Sequence, residues 1–140
     1  MNESRFERNG FTLVELLVVL GVFGILIAIT GPSMSSMISS NRLAGSSNVL
    51  VADLHHGRAL ANTQRATHEI RFRSDGYTLV RVSPLTTIVN RVFPNGVVCA
   101  ATDTATFFAW GLTAPVTVTV SGYSRTRTVQ LLANGHVSND

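Results

Sequence analysis

One acidic residue, Glu15, stands alone in an apolar stretch near the start of the chain. Residues 11–31 contain no other charged side chain. An ionised carboxylate in such surroundings carries a free-energy penalty of a few kcal/mol or more, so it needs a cationic partner or a function. We therefore interpret Glu15 as a functional residue. The alternative is that Glu15, four residues from the start of the stretch, reaches towards a polar interface.

Two arginines near the carboxyl end form a second candidate site. Arg125 and Arg127 are two residues apart, so in a strand they lie on one face and in a loop they can contact one phosphate track. Tyr123 beside them is the aromatic residue available for stacking. The alternative interpretation is a pair of solvated arginines that discourages pairing at a strand edge.

The adjacent residues His55 and His56 do not form a metal site, because neighbours on a helix project about 100° apart and cannot both bind one ion. The sequence contains neither a Gly-x-Ser-x-Gly nucleophile motif nor a lysine for a phosphate-binding loop. We therefore predict no catalytic residue, no metal and no cofactor, and a protein that is not an enzyme.

The stretch around Glu15 is long enough to cross a bilayer. As a helix, residues 11–31 span about 30 Å, the hydrocarbon thickness of a membrane. Arg5 and Arg8 precede the stretch, and the next basic residue is Arg42. This asymmetry predicts a transmembrane helix with its N-terminus in the cytoplasm and the rest of the chain outside.

The helix is expected to continue beyond the apolar stretch to about Asn62. Pro32 predicts a kink or the exit from the membrane. Residues at helical spacing predict one packed face. Its members are Ser47, Leu50, Val51, Leu54 and Ala61. Asp53, His56 and Arg65 are expected off that face.

From Thr67 the hydrophobic period changes to two, which indicates strands. The predicted strands are residues 69–73, 77–82, 88–93, 97–99, 106–110, 116–120, 128–132 and 136–138. Arg71, Arg73 and Arg81 are expected on the solvated side of the first hairpin, and Cys99 is expected to be buried. The pattern predicts an α+β fold in which a long N-terminal helix packs on an antiparallel β-sheet domain.

The run Gly10-Phe11-Thr12-Leu13-Val14-Glu15, followed by an apolar helix, resembles the class III signal of type IV pilins and type II secretion pseudopilins. The resemblance implies that prepilin peptidase cuts between Gly10 and Phe11 and that Phe11 becomes N-methylated. It also implies that Glu15 pairs with the N-terminal amine of a neighbouring subunit during assembly. Such a pair reduces the desolvation penalty of both charges and sets the register between helices.

The resemblance implies a division of the chain into a leader peptide (1–10), a transmembrane assembly helix (11–31), its periplasmic continuation (32–64) and an antiparallel β domain (65–140). It implies other subunits, prepilin peptidase, an inner-membrane assembly platform and lipid as partners. The protein is then expected to cross the inner membrane once, with its C-terminal domain in the periplasm, before it enters a pilus or pseudopilus.

The C-terminal half is similar to the GspH/FimT family, since residues 125–137 follow the ending Arg-x-Arg-x-Val-x-Leu-x-x-Asn-Gly-x-Val. Some FimT-like minor pilins bind DNA through a Gly-Arg-x-Arg loop. The corresponding stretch here is Ser124-Arg125-Thr126-Arg127, with serine in place of the first glycine and Gly122 two residues earlier. The resemblance makes DNA a candidate partner of Arg125 and Arg127.

Three functions are compatible with the sequence. The protein is a structural subunit of a secretion pseudopilus or a type IV pilus, a DNA-binding minor pilin, or a membrane-anchored periplasmic binding domain that does not polymerise. Residues beyond Gly31 include nine arginines and five acidic residues, a net charge of +4, which suits either a solvated surface or a polyanion. An ordinary secretory signal, cut near Ala28-Ile29-Thr30-Gly31, is a further alternative.

Overall fold

The computed structural model describes residues 11–139, except for the side chains of residues 29–33 and 35. The predicted leader, residues 1–10, lies outside the described residues, and so does Gly10, the residue after which cleavage is predicted. Contacts divide the chain between Met37 and Ile38, and the two parts are described separately.

One helix, α1, runs from Leu13 to Gln64 and contains 52 residues. Its large apolar side chains from Leu13 to Ile27 are all exposed, by 41% to 75%. Among the described residues, no helix is both long enough and apolar enough to cross a membrane. The transmembrane helix over residues 11–31 and the kink at Pro32 stay predictions.

The second half of α1 packs against strands. The predicted packed face is confirmed. Ser47, Leu50, Leu54 and Ala61 are buried, and Val51 is half-buried. The four apolar residues among them join the aliphatic and aromatic side chains of the sheets in one core. The recurrence of buried residues every three or four positions favours a helix in this segment.

Among the described residues, eight strands follow the helix and form two antiparallel four-stranded sheets. They are β1 (His68–Arg73), β2 (Gly76–Arg81), β3 (Thr86–Val92), β4 (Val97–Ala101), β5 (Ala105–Phe107), β6 (Val116–Gly122), β7 (Arg125–Leu131) and β8 (Val137–Asn139). The strand orders are β3-β2-β1-β5 and β4-β6-β7-β8. The predicted α+β architecture is confirmed, and the division of the strands between two sheets is new information.

The alternation predicted for residues 116–120 is also confirmed. Val116, Val118 and Val120 are buried, whereas Thr117 and Thr119 are half-buried. The valines therefore supply the apolar face that β6 turns towards the core, as expected for a strand with one packed side.

The strand predicted over residues 106–110 was too long. β5 ends at Phe107, and the chain then turns. Gly111 has a φ of +89°, a conformation that glycine adopts without steric penalty and that does not continue a strand. Phe108 and Trp110 therefore lie in a turn rather than in the sheet.

The prediction that Arg81 lies on the solvated side of the first hairpin was wrong. Arg81 lies directly opposite His68, and opposite residues of an antiparallel pair project to the same face. His68 is fully buried, and the Nε of Arg81 is buried without a hydrogen-bond partner among the described residues. Arg71 and Arg73 are exposed, as predicted.

Candidate functional site

The amino end of α1 positions Glu15 in the first helical turn. The Oγ1 of Thr12 accepts a hydrogen bond from the backbone N–H of Glu15 at 3.2 Å, and the carbonyl of Thr12 accepts one from Leu16, also at 3.2 Å. Thr12 is thus the N-cap, and a threonine three residues before a glutamate has the spacing of a capping box. The cap fixes where the helix begins and places the Glu15 carboxylate near the positive end of the helix dipole.

Among the described residues, the surroundings of Glu15 are apolar and offer no counter-ion. Glu15 is exposed, and Phe11 and Leu13 near it are 80% and 75% exposed. None of the ion pairs among the described residues includes Glu15. The described part of this segment therefore presents a carboxylate that has no counter-ion there, on an exposed apolar helix surface that another molecule can cover.

Arg125 and Arg127 lie together at the start of β7. They line one open groove of about 390 Å³. The residues around this groove are Ser40, Leu43, Arg125, Thr126 and Arg127. The Nη1 of Arg125 donates a hydrogen bond to the Oγ of Ser40 at 2.7 Å, so this guanidinium is tied to α1. The β7–β8 pairing covers Val129 to Leu131, which leaves the part of β7 that carries both arginines at an open edge.

Tyr123 does not line this groove. Its ring lies against Gly96, and its hydroxyl donates to the carbonyl oxygen of Asn95 at 2.5 Å. Tyr123 and Ser124 form the turn between β6 and β7, with φ values of +54° and +60°, as in a type I′ hairpin. The structure therefore brings the two arginines together and holds the tyrosine elsewhere.

Asp53 is a buried acid, so the prediction that it lies off the packed face was wrong. It is 6% exposed. Its Oδ2 accepts hydrogen bonds from the Tyr77 hydroxyl at 2.7 Å and from the Arg91 Nε at 3.1 Å. These partners lie 24 and 38 residues away in sequence, which is why helical spacing alone missed the site.

The electrostatics of this group keep the tyrosine protonated. Burial raises the pKa of Tyr77 well above its ordinary value, and the hydrogen bond to Asp53 and the charge of Asp53 raise it further. The pKa of Arg91 is also raised, first through its hydrogen bond to Asp53. The Asp53 carboxylate thus accepts from a neutral hydroxyl, that of Tyr77, and from a cation, Arg91. This arrangement suits a structural link between α1, β2 and β3 rather than proton transfer.

His55 and His56 are both exposed on α1. Within the described part of the chain, no three histidine, cysteine or acidic side chains are grouped so that they could hold a metal ion. Cys99 is buried, as predicted, and its Sγ donates to the carbonyl oxygen of Arg73 at 3.0 Å.

Comparison with known proteins gives a family match for the amino-terminal segment and a likeness to solved structures for the fold. Residues 5–31 match the family model of the prokaryotic N-terminal methylation motif. The fold is similar to that of the minor pseudopilin EpsH from the type 2 secretion system of Vibrio cholerae, with a TM-score of 0.63 and 10% identity over 71% of this chain and 96% of that one. It is also similar to the type IV minor pilin FimU of Pseudomonas aeruginosa, with a TM-score of 0.61 and 17% identity over 72% of this chain and 90% of that one.

The sequence comparison with curated proteins gives no match. The structural likeness at such low identity shows a shared fold, and the family model covers the amino-terminal segment. The chain thus carries a prokaryotic N-terminal methylation motif on a type IV pilin-like fold, as its sequence predicts.

Proposed function

We propose that this protein is a minor structural subunit of a pilus or pseudopilus, processed by prepilin peptidase and assembled through its N-terminal helix. One observation carries the proposal. Glu15 has no counter-ion among the described residues, and it lies on an exposed apolar helix surface within a segment that matches the N-terminal methylation motif. Cleavage between Gly10 and Phe11 then creates a cation four residues before this carboxylate.

The new amine of one subunit and the Glu15 carboxylate of its neighbour neutralise each other during assembly. Each charge alone is expensive in an apolar environment, whereas together they lose much of that penalty. A buried pair also discriminates between axial registers, because a shifted helix leaves both charges unpaired. The pair therefore sets the position of each helix in the fibre.

The two halves of α1 then serve different functions in the subunit. The face from Leu43 to Ala61 is packed against the strands of its own domain, whereas the large apolar side chains from Leu13 to Ile27 are exposed by 41% to 75%. Before assembly, residues 11–31 are held in the inner membrane and the β domain lies in the periplasm. Afterwards, neighbouring helices replace the lipid around the same residues.

The processing step is tested by mass spectrometry of the protein isolated from its own host. The expected mature chain begins at N-methylated Phe11. A chain that still begins at Met1, or one that begins beyond Thr30, contradicts the proposal, because in both cases the amine that should pair with Glu15 is absent.

The assembly step is tested by Glu15→Ala, with incorporation measured by immunoblot of sheared fibres and the membrane-bound pool measured in parallel. We expect loss of incorporation with an unchanged membrane pool. Glu69→Ala is the matched control, because Glu69 lies in β1 and pairs with Arg71 at 2.9 Å. If Glu15→Ala is incorporated normally, Glu15 does not direct assembly. If neither the parent nor the variant is found in sheared fibres, the protein is an anchored periplasmic domain rather than a fibre subunit.

A second function, DNA binding, is favoured by the common groove of Arg125 and Arg127. Two phosphate contacts give weak binding that falls with salt, with a slope of about −1.8 in log K against log salt concentration. We expect the purified full-length protein in detergent to shift duplex DNA at low salt. Replacing both arginines by alanine should abolish the shift, whereas the same change at Arg71 and Arg73, an exposed pair with the same spacing on β1, should not.

The secretion pseudopilus and the type IV pilus, which both use such subunits, differ in the process that they serve. Deletion of the gene followed by complementation should restore protein secretion if the fibre is a secretion pseudopilus. It should restore pilus-dependent motility or DNA uptake if the fibre is a type IV pilus.

A further inference from the structure

Trp110, the single tryptophan of the chain, is 71% exposed. It lies in the turn that follows β5 and stacks on Phe108, with ring centroids 5.0 Å apart and planes inclined by 5°. Phe108 therefore supports one face of the indole, and the exposure of Trp110 leaves the ring available to another molecule.

The turn around this ring is held in place by its backbone. The Gly111 N–H donates to the Phe108 carbonyl, and the Phe108 N–H donates to the Leu112 carbonyl, both at 3.0 Å. The next residue, Thr113, is buried and donates its hydroxyl to the Leu132 carbonyl at 2.6 Å. A side chain presented in this way loses little conformational freedom on binding, which favours affinity.

An open groove of about 490 Å³ lies beside the indole and is lined by Asn62, Arg65, Ala109 and Trp110. Because the groove is open, it can contact one face of a small molecule rather than enclose it. Neither the Asn62 carboxamide nor the Arg65 guanidinium makes a hydrogen bond or ion pair with any described residue. The groove thus combines a flat apolar surface with two sets of unused hydrogen-bonding groups.

The backbone of Arg65 adds an independent observation. Arg65 follows the last residue of α1 with a φ of +49°, in the left-handed region where glycine is usually found at the end of a helix. An arginine there carries a local energetic penalty, and residues held in such conformations are concentrated at ligand-binding sites. Here the conformation accompanies a guanidinium that lines the groove.

We propose that this groove binds a pyranose sugar that carries a carboxylate. The apolar C–H face of the sugar ring lies on the indole of Trp110. Arg65 binds the carboxylate, for which the planar guanidinium is the preferred partner. The Asn62 carboxamide, which both donates and accepts, binds ring hydroxyls. This site is separate from the assembly helix and goes beyond the proposed structural function.

Other classes of ligand fit the groove less well. A single nucleic acid strand is bound by successive aromatic platforms along a basic track, whereas the lining of this groove supplies one ring and one guanidinium. The centre of a protein interface is depleted of charge and well packed, whereas half of the residues that line this groove are polar and the groove is open. The chemistry that matches is a small, flat molecule with an apolar face, hydroxyl groups and one negative charge.

The fluorescence of Trp110 reports directly on this site, since the chain contains no other tryptophan. Full-length protein in detergent is titrated with D-glucuronic acid, D-glucose and N-acetylmuramic acid. We expect a saturable change in emission with a Kd on the order of 1 mM for the preferred acid sugar, and binding to glucose at least about tenfold weaker. Preference for glucuronic acid indicates a uronic-acid polysaccharide as the source, and preference for N-acetylmuramic acid indicates cell-wall glycan.

Variants separate the contributions of the groove residues. Arg65→Gln should reduce the preference for glucuronic acid over glucose to near unity, Arg65→Lys should restore part of it, and Asn62→Ala should weaken binding of both sugars. Arg71→Gln, on the exposed face of β1, is the matched control and should change nothing. Melting temperatures of all variants within a few degrees of the parent exclude a loss of fold.

Three results would overturn the proposal. They are the absence of a saturable emission change with all three sugars, an unchanged sugar preference in Arg65→Gln, and an emission change that occurs only when other fibre subunits are added. The last result would assign the groove to a protein partner.

Discussion

The Tyr77 hydroxyl donates to the Asp53 Oδ2 at 2.7 Å, and this bond joins the long helix to the second strand inside the core. Tyr77 is fully buried and Asp53 is 6% exposed. Arg91 completes the group from β3, with its Nε 3.1 Å from the same oxygen. One carboxylate thus ties three elements together, so its removal leaves a buried hydroxyl without a partner.

Asp53→Ala should lower the free energy of unfolding by about 2–3 kcal/mol, because it leaves the Tyr77 hydroxyl unsatisfied and removes the anion that Arg91 faces. Urea denaturation of the full-length protein in detergent at neutral pH measures the change. Asp75→Ala is the control, because the Asp75 pair with Arg73 is 3.4 Å long and exposed on both sides, and such pairs contribute about 0–1 kcal/mol. Equal losses in the two variants would contradict the role of Asp53.

Stability should also fall at high pH through Tyr77. Its folded pKa lies above its unfolded value of 10.0, so the unfolded chain releases this proton first. The resulting contribution to stability is complete below pH 10 and is lost as the pH rises from there towards the folded pKa, at up to about 1.4 kcal/mol per pH unit. Tyr77→Phe should lack this component of the slope, whereas Tyr123→Phe should retain it.

Two glycines of α1 should respond to alanine with opposite signs. A Cβ at Gly57 would lie 2.9 Å from Cε2 of Phe107, whereas a Cβ at Gly45 meets no atom within 4 Å. Gly57→Ala should therefore destabilise the domain by about 1–3 kcal/mol through overpacking. Gly45→Ala should stabilise it by about 0.5–1 kcal/mol through helix propensity. The same denaturation experiment measures both, and the same sign for both would refute the packing of Gly57 on Phe107.

Ser124→Gly should stabilise the hairpin between β6 and β7. Ser124 has a φ of +60°, a conformation that costs a residue with a Cβ about 1–2 kcal/mol and costs glycine no steric penalty. The greater freedom of glycine in the unfolded chain offsets about 0.4–1 kcal/mol of this gain, so the melting temperature should rise by only a few degrees. Ser74→Gly, in the other two-residue turn and without a positive φ, should not raise it.

The Cys99 thiol should react slowly in the folded protein. It is 7% exposed, and burial, followed by the charge of Asp75, raises its pKa above the ordinary value. Labelling with a thiol reagent at pH 8 should therefore be at least about tenfold slower than in urea. Equal rates would show that the β1–β4 region opens readily.

The features that could be predicted from the sequence are those that depend on residue patterns within one segment. The buried face of α1 from Ser47 to Ala61 follows from the helical spacing of its residues. The burial of the valines of β6 follows from the alternation of residues along that strand. The position of Glu15 in the first turn of the helix also has a local cause, since Thr12 supplies the cap at the required spacing. That capping role was missed, although the Thr-x-x-Glu pattern was visible in the sequence.

What the sequence did not predict depends on partners far along the chain. Asp53 is buried because Tyr77 and Arg91 reach it from two strands. Arg81 lies opposite His68, because the two-residue turn at Ser74 and Asp75 fixes the register of β1 against β2. Its charge made it look solvated, whereas its place in the alternation puts it on the inner face.

The separation of Tyr123 from its neighbouring arginines has a similar cause. Arg125 and Arg127 share a face of β7, as their spacing requires, but the tight turn before them sends the tyrosine ring to Gly96 and its hydroxyl to Asn95. Turn conformation, rather than distance along the sequence, decides which of these side chains meet.

One strand at the margin of its sheet affects how the protein can be handled. β3 has β2 on one side, and of its seven residues all but Val89 are exposed. Its free amides and carbonyls are a template for another chain, and the exposed side chains of Ile88 and Val92 do little to repel one. In concentrated solution, lateral sheet-to-sheet association through this strand is therefore expected in addition to contacts made by the exposed apolar part of α1, and it requires no loss of fold.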